Sequence, residues 1–232
     1  MIPIKDDNPT KNKSYVTLII LIICSLVFLL QISSENRDFY NYYFGFKPAS
    51  FFSDLNSPTF FPILTIITSI FMHGGWLHFL GNMLYLWIFA DNIEDVMGHK
   101  KFTLFYLFSG FFASLSHAII NIESNIPMIG ASGAIAGILG SYLYFFPKAK
   151  VLVLIPFFIF FTIRIRANIL LIFWFIYQFL NLSNTNSSIA WLAHIGGFIF
   201  GYLFSILIEK NDLPKKKGQS IFLKDKDKGP WN

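Results

Sequence analysis

Eighteen consecutive residues without a charge, Tyr15 to Ile32, constrain this chain more than any other feature. A run of that length crosses the hydrocarbon core of a bilayer as a helix, with every backbone polar group satisfied inside the segment. Five more apolar runs follow between short polar breaks: Trp76 to Ala90, Phe102 to Ile120, Ser132 to Phe146, Ala167 to Leu182 and Ile189 to Ile208. With 54% hydrophobic and 13% charged residues, the chain reads as one helical membrane bundle and not as soluble domains. The expected fold class is therefore an all-α membrane protein with six transmembrane helices. Residues 1–14 are expected to form a mobile cytoplasmic tail, 15–208 the bundle, and 209–232 a disordered basic tail. Phe60 to Met72 is interrupted by Pro62 and lies close to the next run, so it reads as interfacial or packed on the bundle. Val151 to Phe161 contains Pro156 and precedes Arg164 and Arg166, so it reads as an interfacial segment on the cytoplasmic side.

Charge placement fixes the orientation expected of the bundle. Six spans leave both termini on one side, and only Arg37 and Lys47 of the 18 Lys and Arg residues then fall on the other. The positive-inside rule assigns the basic side, with both termini, to the cytoplasm. The net charge of +5 is thus a topology signal, and no nucleic-acid partner is expected. Cys24 is the single cysteine and lies in an apolar run, which excludes a disulfide framework and a zinc site. No metal or other cofactor is expected. The first run follows a polar stretch and is long enough to be an anchor, so no cleavable signal peptide is expected.

Four polar residues inside these runs carry the chemistry. Counted inward, Ser132 lies 16 residues from Lys148, His194 15 from Glu209, and His78 13 from Asp91. At the helical rise this puts all three roughly 20–24 Å above the cytoplasmic boundary, on three different spans. Asn82 lies one turn below His78 on the same face. Polar side chains at such depth face a bundle interior or a wet cavity. Histidine is suited to take a proton from a hydroxyl near neutral pH, which makes Ser132 a candidate nucleophile and His194 a candidate base. Asn82 and His78 are suitable donors to a developing oxyanion, as is a free backbone N–H at a helix start. The competing reading is a set of interhelical hydrogen bonds that only holds the bundle together. Gly133 and Gly137, and likewise Gly197 and Gly201, are one turn apart and allow close helix packing beside the polar residues. No acidic residue lies within a span to complete a triad, so the chemistry expected is that of a dyad.

At this point the chain resembles the rhomboid family of intramembrane serine proteases. The resemblance is carried by His73-Gly-Gly-Trp-Leu-His78-Phe-Leu-Gly-Asn82, Gly130-Ala-Ser132-Gly133, Ala193-His194-Ile-Gly-Gly197 with Gly201, and Tyr43-Phe-Gly-Phe-Lys-Pro48. It implies a six-helix rhomboid-like bundle with a long first loop, Ser132 as nucleophile, His194 as general base, and an oxyanion hole of His78, Asn82 and the Ser132 backbone N–H. It implies substrates that are membrane proteins, usually single-span, cut in or near that span. The lipid bilayer is the other partner. The alternative is a catalytically silent relative that binds membrane proteins in quality control; a small transporter fits less well because no acidic residue sits at mid-depth. Two departures from the pattern stand out: Ala136 occupies a position where some members carry an aromatic against the histidine, and a Trp-Arg pair of the first loop is absent. A bacterial plasma membrane, with the site opening to the outer face, is the expected location. His73, His99 and His117 read as structural or solvated, and Trp174 and Gln178 as neighbours one turn apart on the fifth span.

Overall fold

The computed structural model describes residues 1–53, 61–156, 160–184 and 189–212. Of the disordered tail expected over residues 209–232, residues 209–212 continue the last helix, and the rest lies outside the described residues, as do residues 185–188 of the fifth loop. Nine helices occur among the described residues: α1 (Tyr15–Ser33), α2 (Arg37–Phe44), α3 (Pro48–Ser53), α4 (Phe61–Ser69), α5 (Trp76–Met97), α6 (His99–Ile120), α7 (Ser132–Phe145), α8 (Ala167–Leu180) and α9 (Trp191–Asp212). The protein is a membrane protein of mostly helical build. By length and composition α1, α6 and the Trp191–Glu209 part of α9 suffice to cross a bilayer, and α7 and α8 are apolar but only 14 residues long.

α7 is the centre of the bundle. Its residues from Gly133 to Tyr142 are all buried, and α5, α6, α8 and α9 pack around it. A helix that is apolar on every side belongs inside others, and this one has no charged residue. α1 sits at the periphery. It buries the stripe Ile20, Cys24, Phe28 and Gln31 and leaves Leu18, Ile22, Leu26, Leu29 and Leu30 exposed, a face suited to lipid.

The all-α expectation needs correction. Strands β1 (Ile2–Asp6), β2 (Lys150–Pro156) and β3 (Phe160–Arg166) form an antiparallel sheet in the order β1-β2-β3. The stretch read as an interfacial segment between α7 and α8 is thus a hairpin, with its residues 157–159 outside the description. Its sequence alternates: Val151, Val153, Ile163 and Ile165 share one face, and Val151 and Val153 are buried in the core. A run this short, rich in β-branched residues, satisfies its backbone by pairing instead of by an interfacial helix.

The N-terminal residues are not a free tail either. β1 supplies the third strand, and the residues after it are tied to the end of α5. Asp6 accepts hydrogen bonds from Asn92 Nδ2 at 2.9 Å and the Tyr142 hydroxyl at 2.6 Å, and burial pushes its carboxyl pKa upward. Asp95 accepts from the backbone N–H groups of Lys11 and Asn12, at 2.9 and 3.0 Å.

Glu94 does more than close the second apolar run. α5 continues past it to Met97, and Glu94 is 1% exposed. Its carboxylate accepts from the backbone N–H of Val16 (2.9 Å), the backbone N–H of Thr17 (2.7 Å) and the Thr17 hydroxyl (2.6 Å). It therefore caps the start of α1 from another helix, where the free N–H groups and the helix dipole favour an anion. His99, read as a solvated cap, places Nδ1 2.6 Å from the same carboxylate. Replacing Glu94 by Ala leaves three donors without an acceptor, the two of Thr17 buried and that of Val16 half-buried. The Glu94→Ala variant is expected to unfold about 2–3 kcal/mol more easily, measured by unfolding in detergent micelles, and a Glu94→Gln variant less so.

Candidate active site

Glycines bring α7 and α9 into backbone contact, the most extensively packed helix pair among the described residues. A Cβ built on Gly197 would collide with the carbonyl of Gly133, and one on Gly201 with the carbonyl of Gly137. The i, i+4 glycine pairs of the two helices thus face each other, and no larger residue fits at Gly197 or Gly201. This approach puts the first residue of α7 beside the first turn of α9. Ser132 Oγ lies 2.8 Å from His194 Nε2. His194 is 9% exposed and Ser132 half-buried.

The far side of the imidazole is also engaged. His194 Nδ1 lies 2.8 Å from Gln178 Oε1, and Gln178 Nε2 donates to the backbone carbonyl of Trp174 at 2.8 Å. The ring lies 5.8 Å from that of Trp174 and meets that of Trp191 edge-on at 6.2 Å. Support for the imidazole comes from α8 and α9, and the position of Ala136 on α7 is not needed for it. The sequence shows Gln178 only as a neighbour of Trp174 one turn away, and sequence reasoning gave it no role at the site. The available signal was an amide inside an apolar and aromatic run, Ile169 to Leu180, and the structure shows it 2% exposed.

Three donor groups belong to residues that line the same cavity as the Ser132 hydroxyl. His78 Nδ1 accepts the backbone N–H of Gly74 at 3.3 Å, which leaves its Nε2 as the protonated nitrogen of a neutral ring. Asn82 is 8% exposed, and its Nδ2 has no partner among the described residues. The first turn of α7 has no side-chain cap, so the N–H of Ser132 is free of the helix ladder. Gly130 keeps the space between them open. Its φ is +134°, and a Cβ there would lie 2.6 Å from His78 Nε2 and 3.6 Å from Ser132 Oγ. All four polar residues line one cavity of about 1010 Å³, with Trp174 and Ile126 at other points of its wall. Such a set can move a proton from a hydroxyl and hold a negative oxygen one bond away.

The other histidines stay outside the chemistry. His73 is fully buried, and its ring nitrogens have no partner among the described residues; only its backbone N–H bonds, to Gln31 Oε1 at 3.0 Å. His117 is half-buried near the end of α6. Among the described residues no three His, Cys, Asp or Glu side chains gather as a metal-holding group.

Comparison with known proteins agrees with this picture at the level of family. The family model described as "Rhomboid domain" matches residues 62–211. The chain is 29% identical over 151 residues to "Rhomboid protein 1, mitochondrial" of Saccharomyces cerevisiae, covering 63% of this chain and 42% of the yeast protein. It is 30% identical over 149 residues to "RHOMBOID-like protein 6, mitochondrial" of Arabidopsis thaliana, covering 62% and 43%. With "Rhomboid protease GluP" of Bacillus subtilis it shares 33% identity over 138 residues, covering 59% and 24%. The chain spans less than half the length of each of these relatives.

The cavity between His78 and Ser132 exists only because residue 130 has no side chain. Gly130→Ala is expected to lower the unfolding temperature in detergent, because a Cβ at this positive φ is strained, and to slow reaction of Ser132 with a fluorophosphonate by about a hundredfold or more, the scale of losing one oxyanion donor. Unchanged labelling in a folded variant contradicts this assignment of the space.

Proposed function

The chain belongs to the rhomboid family, and we propose that it is an intramembrane serine endopeptidase acting through a Ser132–His194 dyad. The observation that carries this reading is the 2.8 Å contact between Ser132 Oγ and His194 Nε2 inside a cavity that also holds unpaired donors. A hydroxyl and an imidazole on separate helices, each costly to bury, meet in reactive geometry.

The steps follow from these atoms. His194 Nε2 takes the Ser132 proton as Oγ forms a bond to the substrate carbonyl carbon, and the carbonyl electron pair moves onto oxygen. His78 Nε2–H, Asn82 Nδ2–H and the Ser132 N–H stabilise that oxyanion. When it collapses, the C–N bond breaks and the leaving amine takes the proton from His194. Water then attacks the acyl-enzyme, again giving its proton to His194, and the carboxyl product leaves with Ser132 restored.

The proposed setting is a bundle of six spans, α1, α5, α6, α7, α8 and α9, with both termini in the cytoplasm. The distribution of Lys and Arg supports it, since only Arg37 and Lys47 lie on the other side. α7, at 14 residues, is about 21 Å long, which sets Ser132 below the outer surface of a core about 30 Å thick. The proposed substrates are membrane-anchored proteins, usually with one span, cut in or near it. A bacterial plasma membrane is the proposed location, with the cavity opening outward. The catalytically silent alternative is disfavoured because nucleophile and base are both present and in contact.

Ser132→Ala and His194→Ala are each expected to lower cleavage of a single-span substrate in liposomes by on the order of 10⁴ or more. Full activity in Ser132→Ala rules the mechanism out.

A further inference from the structure

We infer that Gln178 is a positioning residue that selects the tautomer of His194, in the place where an acidic side chain would stand in a three-membered array. The inference rests on the reading of Ser132 and His194 as nucleophile and base. A neutral imidazole has one nitrogen that donates and one that accepts. Only the form protonated on Nδ1 leaves Nε2 free to receive the Ser132 proton. Something must hold the ring in that form.

The hydrogen bonds decide which form it is. The Trp174 carbonyl can only accept, so the Gln178 group 2.8 Å from it must be the NH₂. The amide oxygen is then the atom facing His194, 2.8 Å from Nδ1. A turned amide would set two acceptors against each other at the Trp174 end, in a place where Gln178 is 2% exposed and water cannot compensate. An amide oxygen accepts and does not donate, so Nδ1 must carry the proton. A backbone carbonyl of α8 thus determines, through one side chain, which imidazole nitrogen faces Ser132.

No carboxylate competes for this role among the described residues. Asp91, Glu94 and Asp95 lie in the last turns of α5, and Glu94 and Asp95 are bound to the start of the chain. A neutral amide also suits the surroundings. It orients the ring without adding a buried charge, which a low-dielectric site would have to compensate. In exchange it gives the imidazolium no charge partner when the ring takes the proton.

These two consequences separate orientation from mere packing. Gln178→Met preserves length and bulk but replaces the amide oxygen by a thioether sulfur, a far weaker acceptor. It is expected to lower kcat for a single-span substrate by about 10- to 100-fold with KM within about twofold, because substrate contacts are untouched. Gln178→Glu restores the acceptor and adds a negative charge beside Nδ1, which favours the protonated ring. Its kcat is expected to exceed that of Gln178→Met, and the acid limb of its rate profile to move up by about one pH unit relative to the parent, since the base works only when neutral. A Met variant within twofold of the parent in kcat overturns the inference, as does a Glu variant with an unmoved acid limb. If Gln178→Met loses its cooperative unfolding transition, the acid limb of Gln178→Glu decides alone. Ser132→Ala, measured alongside, tests the underlying reading separately: activity there removes the nucleophile, whereas unaffected Gln178 variants with an inactive Ser132→Ala remove only the positioning role.

Discussion

Two helix backbones in contact underlie everything else in this molecule. A serine hydroxyl and a histidine ring can share a proton only at hydrogen-bond distance, and on two membrane helices that demands an unusually close approach. Gly133, Gly137, Gly197 and Gly201 supply it, with carbonyls of α7 standing where side chains of α9 would otherwise be. Apolar attraction alone does not drive helices together in lipid, since the acyl chains are equally apolar; close packing and interhelical hydrogen bonds do. The same seam gains Ser205, whose hydroxyl donates to Ser141 at 2.7 Å lower in the bundle.

Several buried polar groups that stabilise the fold are paired: Glu94 with the start of α1, Asp6 with Tyr142 and Asn92, Ser205 with Ser141. Asn82, which lines the cavity, keeps its donor unpaired among the described residues. A donor left unpaired costs stability in the resting molecule. Such donors are not confined to the cavity, since Tyr106 and Ser109 also carry one, so it is the contact of Ser132 with His194 beside that cavity that marks the site.

Much of the architecture can be read from the chain, for reasons that also explain the failures. Charge-free runs are long-range, redundant signals, so Tyr15–Ser33, His99–Ile120 and the Ser132 start of α7 fall close to where the apolar pattern puts them. Family membership is legible because four separated motifs coincide. The sheet is not legible in the same way. Val151 to Phe161 is too short for its periodicity to distinguish strand from interfacial helix, and nothing local tells Ile2–Asp6 that its partner lies about 150 residues away. Glu94 and Gln178 share a different difficulty. Each acts on a group far along the chain, 78 residues for Glu94 and Val16 and 16 for Gln178 and His194, and a lone polar residue in an apolar run does not announce its partner. The one-turn spacing of Trp174 and Gln178 is visible; the direction in which the amide points is a property of packing.

The central claim is that Ser132 is nucleophilic because His194 touches it. The direct measurement is reaction of the purified protein with a fluorophosphonate, followed by mass-spectrometric location of the adduct. The account predicts one modified residue, Ser132, and loss of that modification in His194→Ala. Modification of another residue, or undiminished labelling of Ser132 without the imidazole, contradicts it.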